Sequence, residues 1–445
     1  MFRALLSRII VISFAILLGY IIPDHNPSSD VEKFTFNQSN TLLTLLSYFI
    51  KWDSAYYTET MMEGHYLYEK QLVFYPFFPL LTILTHNTLI PYCQNQLTII
   101  LTALLLNILC FMISSYYLYK ITTDLNLCHV SVILALFCYN PSSIFYTTLY
   151  SESVYTMLAY ISLYYIPYIV TYNHTGMPSH IYICRRSFLF VSFTLFLASF
   201  TRSNSILHII IILICILLPY ILHLYNNNKN IARVDFWREV LIIGGIVYVL
   251  CSAIVWPHFY WHIYSKHVLY YTSYMQNETC NDNTSHNTSC LCIYNIHINQ
   301  YSFPFHTVYS YLQYKYWNIH LFAQYTDYKQ LPNLLIASPA IILCIYIINI
   351  YSQAIWYKVK KGHNYDLHTH RYSIRDDIFV YTNTIYRRSY QYTFIQHSND
   401  HNYDPYLPYI PTQRIIYTLA LVVHLTATLL TLLAYAHFQT VSMCI

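Results

Sequence analysis

The residues best equipped for chemistry lie in one stretch, Lys51–Pro79, which reads KWDSAYYTETMMEGHYLYEKQLVFYPFFP. Lys51, Asp53, Glu59, Glu63, His65, Glu69 and Lys70 gather ionisable groups in a chain that is otherwise only 9% charged. The stretch is too polar to cross a bilayer and too aromatic for a solvated linker. We read it as lying at a membrane face and presenting a catalytic carboxylate, Asp53, with an interfacial pairing to Lys51 as the plainer alternative. A carboxylate there could take a proton from an attacking hydroxyl.

The elements that must position it follow from composition. The 445 residues are 56% hydrophobic, and roughly 25% charge is usual for a soluble domain. Apolar runs long enough to span a bilayer recur. The fold class is an all-α polytopic membrane protein, one integrated unit over residues 1–445, with about nine transmembrane helices. Spans are expected near 9–22, 97–119, 129–143, 153–172, 188–201, 205–224, 239–257, 333–352 and 415–436. The runs 41–50 and 72–90 are too short to span and read as interfacial helices. The 51 Tyr are read as compositional drift and carry no function by number.

The first run, preceded by Arg3 and Arg8 and ended by Pro23, reads as a retained signal-anchor helix with a cytosolic N-terminus. That orientation puts the larger share of the 23 Lys and Arg on the cytosolic side, Arg8 among them. It makes 24–96 and 258–332 non-cytosolic loops and 353–414 a solvated cytosolic loop. The glycosylation triplets at Asn37, Asn277, Asn283 and Asn287 then fall outside the cytosol, whereas that at Asn173 falls inside. Cys280, Cys290 and Cys292 share the large outer loop, where two could pair, with Cys93 a further partner. The remaining Cys lie in apolar runs and read as core. His368 and His370 read as loop residues rather than ligands.

Polar residues close to lipid are costly and therefore functional candidates. Glu152 follows Ser151 at the start of a span, where helix capping and the helix dipole would also account for it. Arg202, beside Ser203 and Asn204, sits between two apolar runs with very little loop. It could be a snorkelling anchor or a clamp for a lipid phosphate. The segment 309–333 interleaves Tyr, Trp, Asn and Gln. That suits an interfacial belt, and equally a sugar, which needs hydrogen bonds at its rim and an aromatic platform.

Several motifs, in order from about residue 20 to about residue 440, resemble those of the PIG-V family of mannosyltransferases. They are Ile22-Pro-Asp-His25, Trp52-Asp53, Glu69, Pro76 with Phe78-Pro79, Asn140-Pro141 with Tyr150-Ser-Glu152, and Arg202-Ser-Asn204. The nearest likenesses are Tyr309-Ser-Tyr-Leu-Gln313, Tyr316-Trp-Asn318 and Lys329-Gln-Leu-Pro-Asn333. The resemblance implies a GT-C glycosyltransferase bundle in the endoplasmic reticulum membrane, with its active site on lumenal loops. It implies transfer of mannose from dolichyl phosphate mannose, in α1,6 linkage, to a glycosylphosphatidylinositol (GPI) precursor. Donor and acceptor would be lipid-linked. A small membrane partner subunit is a candidate; nucleic acid is not.

Under that resemblance Asp53 is the base and Arg202 the phosphate binder. Trp52, Glu63, Glu69, Glu152, Asn204, Tyr316, Trp317, Asn318 and Asn333 orient substrates. No cofactor is implied beyond the donor itself. Asp53 lacks an Asp-x-Asp partner, so no metal is expected there. The chain departs from the family at Gly64-His65-Tyr66, where one residue is interposed, and after Asp53, where Ser-Ala-Tyr-Tyr replaces charged and His positions. It also ends at Ile445, where the family continues with a Thr-Arg-Phe-type motif, which reads either as a divergent short form or as a truncated gene sequence. A different dolichyl-phosphate-mannose-dependent transferase is the nearest alternative function. A non-catalytic subunit and a lipid-glycan transporter are more distant ones, and the internal repeats of a transporter are not visible.

Overall fold

The computed structural model describes residues 1–21, 41–51, 53–66, 69–91, 95–125, 130–172, 181–221, 233–279, 308–317, 338, 341–353 and 411–435. The described residues are overwhelmingly helical. In chain order the first helices are α1 (Phe2–Ile21), α2 (Thr41–Ser47), α3 (Asp53–Glu63), α4 (Phe77–Leu89) and α5 (Gln96–Asp124). A 3-10 turn, Glu69–Val73, separates α3 from α4. Pro79 falls in the first turn of α4, where a missing amide costs no helical bond. Asn95 and Thr98 close a capping box at the start of α5.

Next come α6 (Val130–Cys138), a 3-10 turn Pro141–Tyr146, and α7 (Glu152–Tyr165). The expected span 129–143 is thus a nine-residue helix followed by a turn. The cause is Asn140-Pro141: the residue before proline avoids the α region, and proline then starts the 3-10 turn. The expected span 153–172 likewise ends early. After Tyr165 the chain enters a 3-10 turn and then β1 (Val170–Tyr172), which pairs antiparallel with β2 (Ile181–Ile183). Val, Ile and Tyr are good strand formers, and Pro167 discourages further helix.

Two long helical passages follow α8 (Arg185–Thr201). In the first, the 3-10 turn Ser203–Leu207, α9 (His208–Ile212) and a π-helical turn Leu213–Leu217 make one rod, Ser203–Ile221. The second, α10 (Arg233–Thr279), is 47 residues long, about 70 Å at 1.5 Å per residue. The segment from 258, expected as loop, is therefore helix as far as 279. Last are α11 (Val308–Trp317), α12 (Ile341–Gln353) and α13 (Pro411–Tyr435).

By length and composition, four helices among the described residues can cross a membrane: Phe2–Ile21, Gln96–Asp124, Ser203–Ile221 and Phe236–Val268. Large apolar side chains face outward along them, including Phe14, Leu105, Leu241 and Trp256. That surface suits lipid, which supplies no hydrogen bonds.

The bundle is centred on α5, α7, α8 and α10, packed in that order. One core, with Phe78, Ile100, Leu149, Val154 and Ala198, unites α3, α4, α5, α7 and α8. A second, with Ile169, Leu195, Ile211, Leu250 and Ala420, unites the hairpin, α8, α9, α10 and α13. A third, smaller cluster joins Leu72, Val73 and Tyr75 to Trp261 of α10 and to Val308 and Leu312 of α11. Its polar fixings are explicit: the Trp261 indole donates to Leu72 O at 3.0 Å, and Val308 N donates to His262 Nδ1 at 3.1 Å.

Arg8 is a correction. Expected as a cytosolic flank charge, it is 1% exposed and bonded inside the bundle. The Cys of the described helices are free, with Cys110, Cys138 and Cys344 buried as core residues. Cys93, Cys280, Cys290, Cys292, His368, His370, Asn37, Asn173, Asn283 and Asn287 lie outside the described residues. Asn277 lies on the far part of α10.

Candidate active site

Asp53 is the first residue of α3 and is half-buried. The amides of a helix N-terminus place partial positive charge beside such a carboxylate. The next eight residues of α3, Ser54 to Met61, are all buried, so the helix is set into the bundle rather than lying loosely on it. Ser54 Oγ and Tyr150 Oη both donate to Lys51 O, at 2.5 and 3.0 Å, fixing the turn that leads into Asp53.

Tyr150 belongs to the segment between the 3-10 turn Pro141–Tyr146 and α7. Asn107 of α5 holds that segment by donating to Thr148 O at 2.5 Å and Tyr150 O at 3.0 Å. One residue on, Ser151 accepts a hydrogen bond from Tyr57 Oη of α3 at 3.0 Å. Ser151 does not cap α7 with its side chain. Glu152, the first residue of α7, forms an ion pair with Arg202 Nη1. The capping account of Glu152 is therefore replaced by a tertiary one.

Arg202 owes its position to the backbone. It is a single extended residue (φ −153°, ψ 148°) between the end of α8 and the turn Ser203–Leu207. The junction is as short as the sequence suggests. The Arg202 and Glu152 side chains are 27% and 15% exposed. Glu152 Oε2 is buried without a hydrogen-bond partner among the described residues.

Two phenols register the charges that converge here. Burial pushes the Tyr57 hydroxyl well above the usual range, with Arg202 opposing and Glu152 and Asp53 adding to the shift. Burial also pushes Tyr150 well up, again with Asp53 and Glu152 adding. Asp53 and Glu152 therefore act on both phenols, and Arg202 on Tyr57. A carboxylate, a second carboxylate and a guanidinium gathered among neutral hydroxyls can take a proton, hold a sugar hydroxyl and bind an anion.

Other expected site residues take different positions. Glu69 is an ion-pair partner of Lys315 in α11, its two oxygens at 3.0 and 2.8 Å from Nζ. With a side chain 7% exposed, it ties the first polar segment to α11. Glu63 is exposed at the opposite end of α3 from Asp53, about 15 Å along the axis; the two are not brought together. Asn204 is half-buried in the turn after Arg202. Tyr316 and Trp317 close α11. Trp52, Asn318 and Asn333 lie outside the described residues.

Sequence reading gives no site role to Tyr57, indistinct among 51 Tyr, and names Tyr150 only as part of the motif Tyr150-Ser-Glu152. It also passed over Asn107, although an amide inside the apolar run LLLNILC is a detectable signal. His258 was missed as well. Its ring lies between Tyr75 Oη, 2.8 Å from Nδ1, and Ser205 Oγ, 3.0 Å from Nε2. Ser203 Oγ donates to Tyr309 Oη at 3.3 Å. The chain following Arg202, the segment before α4, α10 and α11 thus meet through hydroxyl and imidazole groups. Glu59 of α3 accepts from Gln71 Nε2 at 2.6 Å in the same region. Among the described residues no group of three His, Cys, Asp or Glu side chains forms a metal-ligand set.

A family profile described as Mannosyltransferase (PIG-V) matches residues 2–444. A Drosophila melanogaster protein described as GPI mannosyltransferase 2 is 25% identical over 394 residues, 80% of this chain and 77% of that protein. A mouse protein described as GPI alpha-1,6-mannosyltransferase 2 is 23% identical over 376 residues, 76% of this chain and 65% of that protein. A GPI mannosyltransferase 2 of Drosophila pseudoobscura pseudoobscura is 30% identical over 178 residues, but the match spans only 38% of its length. No solved structure matches the chain. With the profile running almost from end to end, the chain belongs to the PIG-V family of mannosyltransferases.

Proposed function

We propose that this chain transfers a mannose residue to a GPI-anchor precursor, as the names of its relatives describe for those proteins. The donor in this reading is dolichyl phosphate mannose and the new bond is an α1,6 linkage to the precursor's first mannose. Both substrates are lipid-linked, which is why the site must lie where a bundle of apolar helices meets its polar loops. We place the reaction at the lumenal face of the endoplasmic reticulum membrane, on a GT-C type bundle.

The observation that carries the reading is geometric: Tyr150 and Tyr57 bond the turn before Asp53 and the helix it opens to the residues just before Glu152, and Glu152 pairs with Arg202. Converting a β-mannosyl phosphate to an α-mannoside inverts the anomeric centre, so one displacement suffices. The attacking hydroxyl of the acceptor forms the new C–O bond while the bond to phosphate breaks. Its proton goes to Asp53, the counterpart of the base in inverting glycoside hydrolysis. The leaving phosphate carries its electron pair away without needing a proton. It does need positive charge as its own negative charge develops, and Arg202 supplies that. The guanidinium is a planar fork of five donors, suited to phosphate. Glu152 holds it through Nη1. No metal enters this scheme.

The test is complementation of cells lacking the second GPI mannosyltransferase, scored by GPI-anchored proteins at the cell surface. The wild-type chain restores them and Asp53→Asn, expressed at the same level, does not. Full restoration by Asp53→Asn removes Asp53 as the base. A well-expressed wild type that fails to restore them overturns the assigned reaction.

A further inference from the structure

Arg8 lies in the first helix, a charged side chain buried to 1% exposure in a run suited to lipid. Such a residue is expensive unless its donors are all met. Here four of its five N–H donors are met, three of them by the segment 138–147. Nη1 donates to Ser143 O at 2.6 Å and to Thr147 Oγ1 at 2.9 Å. Nη2 donates to Cys138 O at 2.9 Å, and Nε to the neighbouring Ser7 Oγ at 3.3 Å. The guanidinium carbon stands 3.8 Å from the centre of the Phe111 ring of α5.

These partners are carbonyls, hydroxyls and an aromatic face. Cys138 is the last residue of α6, so its carbonyl belongs to the negative end of that helix. Arg8 therefore neutralises a helix end that Asn140-Pro141 forces to stop inside the bundle, and it holds the turn that follows. A planar fork can reach Cys138 O, Ser143 O and Thr147 Oγ1 together; a lysine ammonium is a point charge and cannot.

The segment it grips leads directly to Tyr150, Ser151 and Glu152. Asn107 holds Thr148 O and Tyr150 O, and Ser153 Oγ donates to Tyr146 O at 2.6 Å. Arg8 supplies the anchorage at the start of the segment. We propose that Arg8 is a positioning residue: it fixes the 138–147 turn so that Tyr150 and Glu152 meet the Asp53 end of α3 and Arg202. This rests on the site assignment above, but the placement itself can be measured without any mannosyl transfer.

The experiment uses the full chain in microsomes, with Ser151→Cys as a reporter and Val191→Cys as a control. Both positions are buried, at 1% and 0% exposure. Rates of labelling by a small maleimide are compared in wild-type, Arg8→Lys, Arg8→Met and Arg3→Met backgrounds, against chains without the added cysteine. Arg3 is exposed. The expected result is a several-fold faster reaction at position 151 for both Arg8 variants, no change at 191, and no change with Arg3→Met. Unchanged labelling at 151, or an equal increase at 151 and 191, overturns the proposal.

Mannosyl transfer gives the second readout. Arg8→Lys is expected to lower kcat at least tenfold in an otherwise wild-type chain, and to have little further effect when combined with Glu152→Gln, because the two act through one group. Fully multiplicative losses overturn it. If the wild-type chain transfers no mannose, the assigned function fails while the labelling result still decides the role of Arg8.

Discussion

The Tyr150 hydroxyl donates to the carbonyl of Lys51 at 3.0 Å, joining the residues just before Asp53 to the residues just before Glu152. The bond spans 99 positions of sequence. Tyr150→Phe removes this tertiary donor and leaves the Lys51 carbonyl to Ser54 alone, the loss of one hydrogen bond at about 0.5–1.5 kcal/mol. Mannosyl transfer in microsomes should fall roughly 3- to 10-fold with expression retained, since 1.4 kcal/mol is about a factor of ten. Activity within twofold of wild type would show that the Lys51 turn holds itself.

The Glu69–Lys315 pair should behave as a buried pair at one end and a surface pair at the other. Glu69 is 7% exposed and Lys315 is 36% exposed. Lys315→Met takes its lysine from a buried carboxylate and should be the more damaging change, about 1–3 kcal/mol after allowance for the solvated lysine. Glu69→Gln leaves the lysine able to reach solvent and should cost less. Adding Glu69→Gln to Lys315→Met should recover part of the loss. Thermal unfolding of the detergent-solubilised chain measures all three, and strictly additive losses would argue against the pair.

Much of this site was legible because its parts are local. Trp52-Asp53 and Thr201-Arg-Ser-Asn204 stand out where polar residues interrupt apolar runs, and a bilayer makes any such interruption informative. What pairs with what was not legible. Glu152 reads equally well as a helix-dipole residue or as a tertiary partner, and only folding brings Arg202 to it. Arg8 illustrates the limit most clearly. Near an N-terminus a charge reads as a topological signal, and burial depends on where α6 stops, 130 residues later. The orientation argument loses one cytosolic charge with it, but not its sign. Glu63 lies apart from Asp53 for a geometric reason: proximity in sequence became opposite ends of a helix.

Alkaline pH should unfold the polar end of the protein. Burial raises the hydroxyls of Tyr57, Tyr66, Tyr75 and Tyr150 above their ordinary value of 10.0. A raised folded value means that the neutral phenol is the form the fold accepts. The stability involved is fully present below about pH 10, where unfolded tyrosines are also neutral, and is lost as pH rises towards the folded values. Each such phenol lowers stability by about 1.4 kcal/mol per pH unit across that window. The unfolding temperature in detergent should be flat up to about pH 9.5 and then fall steeply. An unfolding temperature that stays flat through about pH 11.5 would contradict the burial of these rings.

The last prediction concerns a contact that feeds the site from the first helix. A Cβ at Gly19 would lie 2.5 Å from Tyr48 Cδ1 and 2.6 Å from Cγ. Cγ is one bond from the tyrosine's own Cβ, so the ring cannot escape by turning its far end. Tyr48 must change its χ1 rotamer or its backbone must move, and Phe49, Ile50 and Lys51 follow it in sequence, the first two buried at 3% and 7% exposure. Gly19→Ala should therefore cost about 1–3 kcal/mol as an overpacked contact, and should lower mannosyl transfer by shifting the turn that carries Asp53. Gly244→Ala is the matched control, because a Cβ there meets nothing within 4 Å. That change should be neutral or gain up to about 1 kcal/mol from helix propensity. Combining Gly19→Ala with Tyr48→Ala removes the clash and should restore most of the activity lost. If the double variant is no better than Gly19→Ala alone, the loss comes from the helix and not from its approach to Tyr48.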